Sequence, residues 1–148
     1  MNSSLVVFTL EDQHYALRLA AVERVIRIVE ITPLPQAPEI VIGVVNVQGE
    51  IIPVVNVRQR IGLPQREISL SDQLIIAHTS QRKVGLIADA VMDVIEYSEQ
   101  DIAAAESILP GLEYVDGILK LPDGLLLIYD LDRFLSLEEE TSLEQALV

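Results

Sequence analysis

The chain has no cysteine and no tryptophan, 4% aromatic residues, and two histidines in 148 positions. Without cysteine it can form no disulfide, no thiolate zinc site and no cysteine nucleophile, which fits a reducing, cytoplasmic setting. Cations are scarce: ten Lys and Arg stand against 23 Asp and Glu, a formal net charge of −13. So acidic a surface repels phosphate backbones and anionic lipid, so neither nucleic acid nor an electrostatically held membrane is expected as a partner. Long apolar runs are missing too. Ile40–Val47 and Leu125–Tyr129 are less than half a membrane span, so no direct membrane insertion is expected. The opening MNSSLVVF lacks the basic region and small-residue cleavage site of a secretory leader. The seven glycines are scattered at turns and strand ends, which leaves no phosphate-cradling loop.

What the chain does have is self-similarity. Half its residues are hydrophobic, mostly Val, Ile and Leu, the composition of strands. Leu5 to Ile28 reads LVVFTLEDQHYALRLAAVERVIRI and Leu74 to Tyr97 reads LIIAHTSQRKVGLIADAVMDVIEY, aligned without a gap at an offset of 69. GVVNVQGEIIPVVNVRQRIG from Gly43 and GILKLPDGLLLIYDLDRFLS from Gly117 share an apolar pattern at an offset of 74. Internal repeats decide fold class before local propensities do. The expectation is a single domain over residues 1–148 with approximate repeat units 5–63 and 73–137 and a C-terminal helix over 138–148.

Within the first unit, alternation predicts strands at Leu5–Leu10 and His14–Leu19 as a hairpin, a helical turn at Ala20–Arg24, and a strand at Val25–Ile31. Pro33, Pro35 and Pro38 mark a surface crossing. Val44–Val47 and Glu50–Val57 form a hairpin about Gln48-Gly49, in which Pro53 predicts an edge or a bulge. Arg58–Leu70 is read as a polar link. The second unit repeats the plan with Gln73–Thr79, Lys83–Ala88 and Val91–Tyr97, then Val115–Leu121 and Leu125–Tyr129 about Pro122-Asp123-Gly124. Ser98–Glu113 replaces the proline-rich crossing, Asp130–Leu135 is a short capped helix, and Ser136–Val148 is an amphipathic or fraying terminal helix. Short strands in meander order manage their edges by closing into barrels. The fold class expected is mainly β, with two small five-stranded barrels packed together.

Chemistry has little to work with. His14 at a hairpin start and His78 near a strand end read as surface or core fillers rather than general bases. Asp130 and Asp132 form the best carboxylate pair, but no third acid completes a calcium loop, and Asp130 reads as a helix cap. Glu138–Glu140 reads as a solvated helix face. No catalytic residue, metal or cofactor is expected. Asymmetry between the repeats is the stronger functional signal: the hairpin Val44–Val57 carries Asn46, Gln48, Gly49, Glu50 and Asn56, where its counterpart carries Lys120, Pro122, Asp123, Gly124 and Asp130.

At this hairpin the sequence resembles a known family. GVVNVQGEIIPVVNVRQRIG is similar to the G-v-x-N-x-R-G-x-i-x-P-v-x-D-L-r signature of CheW-like domains, which occur in chemotaxis coupling proteins and in the regulatory domain of the histidine kinase CheA. VVFTLEDQHYALRLAAVERV and KVGLIADAVMDVIE resemble two further family segments, in the same order and spacing, over about Leu5 to Leu137. The resemblance implies two SH3-like five-stranded barrels and a non-catalytic cytoplasmic adaptor between the chemoreceptor cytoplasmic tip and a CheA-type histidine kinase regulatory domain. It implies a receptor-binding groove at Val22, Arg24, Gly43, Asn46, Gln48, Gly49 and Val84, and a kinase-binding surface at the edge of one barrel, for which the proline-rich crossing and its flank, Ile31, Leu34, Ile40 and Ile42, are our own expectation. The sequence departs from the family pattern at Gln48, where the family has arginine, at Arg24, where it has glutamate, and at Asn56, where it has aspartate. The alternatives are a CheW-like module of a non-chemotaxis kinase pathway and a small-ligand-binding β-barrel.

Overall fold

The computed structural model describes residues 2–104, 113–122 and 124–147. Eleven strands are formed among them: β1 (Asn2–Leu10), β2 (Gln13–Arg18), β3 (Val22–Arg27), β4 (Val41–Val47), β5 (Glu50–Val55), β6 (Gln73–His78), β7 (Lys83–Ala88), β8 (Ala90–Ser98), β9 (Ile102–Ala104), β10 (Val115–Leu121) and β11 (Gly124–Tyr129). Two helices accompany them, α1 (Val57–Ile61) and α2 (Leu137–Leu147).

The strands make two sheets, ordered β8-β1-β2-β11-β10-β9 and β3-β6-β7-β5-β4. Replacing each strand of the second sheet by its repeat counterpart gives the order of the first. Neither sheet is one repeat. The β1–β2 hairpin of the first repeat sits with β8, β10 and β11 of the second, while β6–β7 of the second sits with β3, β4 and β5 of the first. Each repeat therefore lends its leading hairpin to the other, and no barrel can form from one repeat alone.

Each ring is completed by its own chain. β8 runs through a single 3-10 turn, Glu99–Asp101, into β9, which pairs with β10. The six-stranded sheet is thus a five-position ring whose first strand is interrupted, which is how it differs from the five strands expected. In the other sheet the chain beyond β3 reaches Thr32, which exchanges both backbone hydrogen bonds with Val44 of β4 at 2.8 Å. Glycine makes both closures possible. Gly43 and Gly117 sit at matching register shifts, Val41/Gly43 and Val115/Gly117. A Cβ on Gly43 would overlap the Thr32 carbonyl oxygen, and one on Gly117 would lie 2.5 Å from Ile102 Cγ2.

Pro53 fits without losing a bond. Val44 gives its backbone groups to Thr32, so its pairing with Pro53 carries no hydrogen bond, and β7 joins β5 only from Val54. β5 is therefore an inner strand, and the proline occupies a position where no ladder bond is asked of it.

Burial explains the near-continuous apolar runs. Leu5, Val7, Ala16, Leu119, Leu126 and Ile128 fill the first barrel, and Val45, Ile52, Val54, Leu74 and Ile76 fill the second. The largest cluster lies between the barrels and takes Phe8, Leu10, Tyr15, Leu17, Ile75, Ala77, Val84 and Leu86 together with Tyr129, Phe134 and Leu143. β6 therefore buries alternate residues in different cores, and a strand covered on both faces reads as an unbroken apolar run.

The helices are locally specified. Asn56 caps α1, its side-chain oxygen accepting the Gln59 N–H at 3.1 Å, and Gly62 ends it in the left-handed region at φ 79°. The link expected at Arg58–Leu70 thus begins as a helix. Ser136 and Glu139 form a reciprocal capping box at the start of α2, with Ser136 Oγ accepting from Glu139 N–H at 3.1 Å and Glu139 Oε1 from Ser136 N–H at 2.8 Å. α2 is pinned by fully buried Leu143 and by Arg82, which reaches Glu140 at 3.1 Å and Glu144 at 2.5 Å. The helical turn expected at Ala20–Arg24 is a 3-10 turn over Leu19–Ala21, and β3 ends at Arg27 rather than Ile31 because the chain leaves β6 there to reach β4. The part of the Ser98–Glu113 expectation that falls on residues 105–112 lies outside the described residues.

Candidate protein-docking site

The start of β3, the β4–β5 turn and the start of β7 meet at one end of the second barrel. They enclose a cleft of about 100 Å³ lined by Glu23, Arg24, Val47, Gln48, Glu50, Ile52, Ile76 and Lys83. The turn that forms one wall has Gln48 at φ 52° and Gly49 at φ 88°, the mirror-image turn that matches strand twist. Asn46 holds it, its Oδ1 accepting the Gly49 N–H at 2.9 Å. Lys83 Nζ bridges Glu50 Oε1 at 2.9 Å and Glu23 Oε1 at 3.1 Å. These carboxylates draw the lysine's pKa above its ordinary value. Arg24 is left with no acid in ion-pair range among the described residues. The arrangement combines a cation unpaired among the described residues, a polar turn held by Asn46, and an apolar floor of half-buried Val47 over buried Ile52 and Ile76.

Of the receptor-groove residues expected from the resemblance, Arg24, Gln48, Gly49 and Asn46 are exposed and gathered here, with Val22 half-buried beside them. Gly43 is buried within β4 against Thr32, and Val84 is 2% exposed in the core between the barrels. Two of the three departures from the family pattern, Arg24 and Gln48, line the same cleft. The third, Asn56, keeps the capping role that an aspartate would fill. The four kinase-side residues divide. Ile31 and Ile42 pack on the second barrel's core, Leu34 packs on the core between the barrels, and Ile40, 2% exposed, belongs to that core.

Sequence reasoning missed three features. Lys83 had no signal of its own, because its acids come from other strands. Ile51 is 55% exposed beside the turn, hidden within the apolar run EIIPVV. Arg58, read as part of a link, is a buried cation. Its guanidinium pairs with Glu11 and with Asp89 at 2.7 Å and donates to the Pro64 carbonyl at 3.0 Å. Burial alone would lower its pKa, but the bonds to Glu11 and Asp89 hold it above the ordinary value.

The carboxylate pair is spent on structure. Asp130 Oδ1 accepts the Asp132 N–H at 3.0 Å, and Asp132 Oδ1 accepts the Ser80 N–H at 2.6 Å. His14 and His78 are exposed on separate strands. Among the described residues no group of three His, Asp or Glu is placed to hold a metal, and no helix is long and apolar enough to cross a membrane.

Two interlocked SH3-like barrels, with a cleft at one barrel mouth, define the class of fold to which the chain belongs. Comparison with known proteins makes this specific: the chain belongs to the CheW-like domain family, whose model matches residues 4–139. It is 31% identical over 137 residues to the chemotaxis protein CheW of Rhizobium meliloti, covering 91% of this chain and 88% of that one. It is 32% identical over 129 residues to the chemotaxis protein CheW of Thermotoga maritima, covering 86% and 84%. Among solved structures, the scaffolding protein TtCheW of Thermoanaerobacter tengcongensis superposes with a TM-score of 0.84 at 33% identity, covering 94% of this chain and 96% of that one.

Proposed function

We propose that the chain is a non-catalytic adaptor of chemotaxis signalling, working in the cytoplasm, that couples a chemoreceptor's cytoplasmic tip to the regulatory domain of a CheA-type histidine kinase. The observation that carries this reading is the cleft at the second barrel's mouth, where an unpaired cation, a rigid turn and exposed Ile51 lie together. A receptor helix would lie against Val22, Arg24, Asn46, Gln48 and Gly49, with Gly43 and Val84 supporting that wall from inside. The kinase would meet the segment from Ile31 to Ile42, where Ile31, Leu34 and Ile42 keep partial exposure above buried Ile40. Small polar-rimmed surfaces of this kind suit reversible association. Signal would then pass as a change in the relative placement of two bound partners.

Titration calorimetry with a CheA regulatory domain, and separately with a receptor-tip fragment, tests the reading. Micromolar binding to both is expected, and binding to neither overturns it. Gln48→Arg restores the cation of the family pattern and is expected to tighten receptor binding about tenfold, worth ~1.4 kcal/mol. An unchanged affinity removes Gln48 from the contact.

A further inference from the structure

Successive residues of a strand point to opposite faces, yet Glu23 and Arg24 of β3 both line the cleft at the second barrel's mouth. A β-bulge reconciles them. Val22 and Arg24 pair with the adjacent residues Ala77 and Ile76 of β6, so Glu23 is the extra residue, and a bulge re-aims the side chains beside it. β8 carries the same device: Val91 and Asp93 pair with adjacent Phe8 and Val7 of β1, leaving Met92 extra at the position of Glu23. The bulge is therefore common to both repeats, whereas the sign of the charge reverses between β3 and β8, from Arg24 to Asp93. Arg24 is also free. Arg18, Arg58, Arg60, Arg66, Arg82 and Arg133 are held by carboxylates, while among the described residues exposed Arg24 is in no ion pair. The two acids of its cleft, Glu23 and Glu50, are both engaged by Lys83.

The family pattern sets arginine at position 48 and glutamate at position 24. Here the turn carries neutral Gln48 and β3 carries the arginine, so the cation has moved from one wall of the cleft to another. We propose that Arg24 selects the receptor. The chain takes a receptor helix that presents a carboxylate to this cleft, and it rejects one that presents a cation, the charge that a glutamate at position 24 would accept. This deepens the coupling reading and rests on it. An acidic side chain is repelled by most of a surface of net charge −13, so an exposed arginine in a cleft also fixes where that side chain docks. Attraction of one charge and repulsion of its opposite act together, so the discrimination exceeds what either supplies alone.

Titration calorimetry of the chain and its variants with a receptor-tip fragment tests the selection. Arg24→Gln is expected to weaken binding about fivefold and Arg24→Glu about 50-fold, because repulsion then compounds the lost attraction. Both variants are expected to keep native circular dichroism, because Arg24 is exposed. Added salt is expected to weaken the parent chain's binding more than that of Arg24→Gln. The fragment's Glu and Asp residues are then exchanged for Lys one at a time. One exchange is expected to abolish binding to the parent chain and to recover binding by Arg24→Glu. A parent chain that binds the fragment no better than Arg24→Glu does overturns the selection and leaves the coupling reading standing. So does a set of exchanges in which none recovers Arg24→Glu. A parent chain that binds no receptor-tip fragment overturns both.

Discussion

The two junctions between the barrels occupy equivalent places in the repeat and are held by different chemistry. At one, Arg58 from α1 joins Glu11 of the β1–β2 turn to Asp89 at the start of β8, and Glu11 N–H donates to Asp89 Oδ2 at 2.9 Å. Arg66 adds bonds from the following link to Asp89 and to Asp72. At the other, the equivalents of Glu11, Asp89 and Arg58 are Ser80, Ala20 and Asp132, and one backbone-to-carboxylate bond is what they retain. A cleft of about 340 Å³ opens there, and α2 fastens across the neighbouring hairpin through Arg82. One junction is a buried charge lock and the other a shallow groove beside a helical clasp. Duplicated backbone can thus be kept while its side chains diverge, one junction filled by ion pairs and the other left open.

Substitution at equivalent positions should expose the difference. Arg58→Ala takes from Glu11 its partner and leaves Asp89 to Arg66 and the Glu11 N–H, in a junction where the arginine side chain is 10% exposed, and should cost about 3 kcal/mol in denaturant unfolding. Asp132→Ala at the open junction should cost about 1 kcal/mol, the value of one hydrogen bond. Equal losses would mean the junctions are energetically alike. The ring closures give the next largest effect. Gly43→Ala forces a methyl into the Thr32 carbonyl and should cost about 2–3 kcal/mol, whereas Gly117→Ala meets an isoleucine methyl that can turn aside and should cost about 1 kcal/mol. Reversed ranking would contradict the closure at Thr32.

Arg82→Ala should loosen the clasp by about 0.5–1 kcal/mol, with the loss shrinking as salt is raised, because Glu144 is largely exposed. Hydrogen exchange in α2 should rise with it. The smallest effect is on pH. Burial would raise the Asp89 carboxyl, but the Glu11 N–H and the Arg58 and Arg66 guanidinium groups outweigh burial and hold it below its ordinary value. A depressed carboxylate adds stability above its unfolded pKa of about 3.9, and that stability is lost as pH falls through the lower folded value. Asp89→Asn should therefore flatten the acid limb of the stability curve below about pH 4. Glu139, held low by Ser136 and Arg60 against its burial, gives the clasp a similar but separable limb.

Much of this could be read from the sequence, and the limits have physical causes. Alternation and turn chemistry located β7 and β10 to the residue, and the offset of 74 aligned Gly43 with Gly117 before any closure was visible. The exchange of hairpins between repeats was not readable, because β1 and β6 have nearly the same pattern and either could pair with either third strand. α1 was missed because five residues carry too little periodicity, although Asn56 and Gly62 mark both of its ends. The Arg58 lock needs Glu11 and Asp89 from remote stretches, and no local pattern brings them together. At the site, Arg24 and Gln48 were found through the family pattern, whereas their shared cleft, and the sign reversal between β3 and β8, emerged only once the strands were placed.

The central claim is that the two barrel mouths differ in use. Arg24, Gln48, Glu50 and Lys83 at one stand where Asp93, Pro122, Gly124 and His14 stand at the other. Residue-resolved amide chemical shifts, followed while a receptor-tip fragment is added, read both mouths in one experiment. The account predicts saturable shifts at Val22, Arg24, Gln48, Gly49 and Lys83, with His14, Asp93 and Gly124 unmoved. Shifts confined to His14, Asp93 and Gly124, or no saturable shift anywhere, would contradict it.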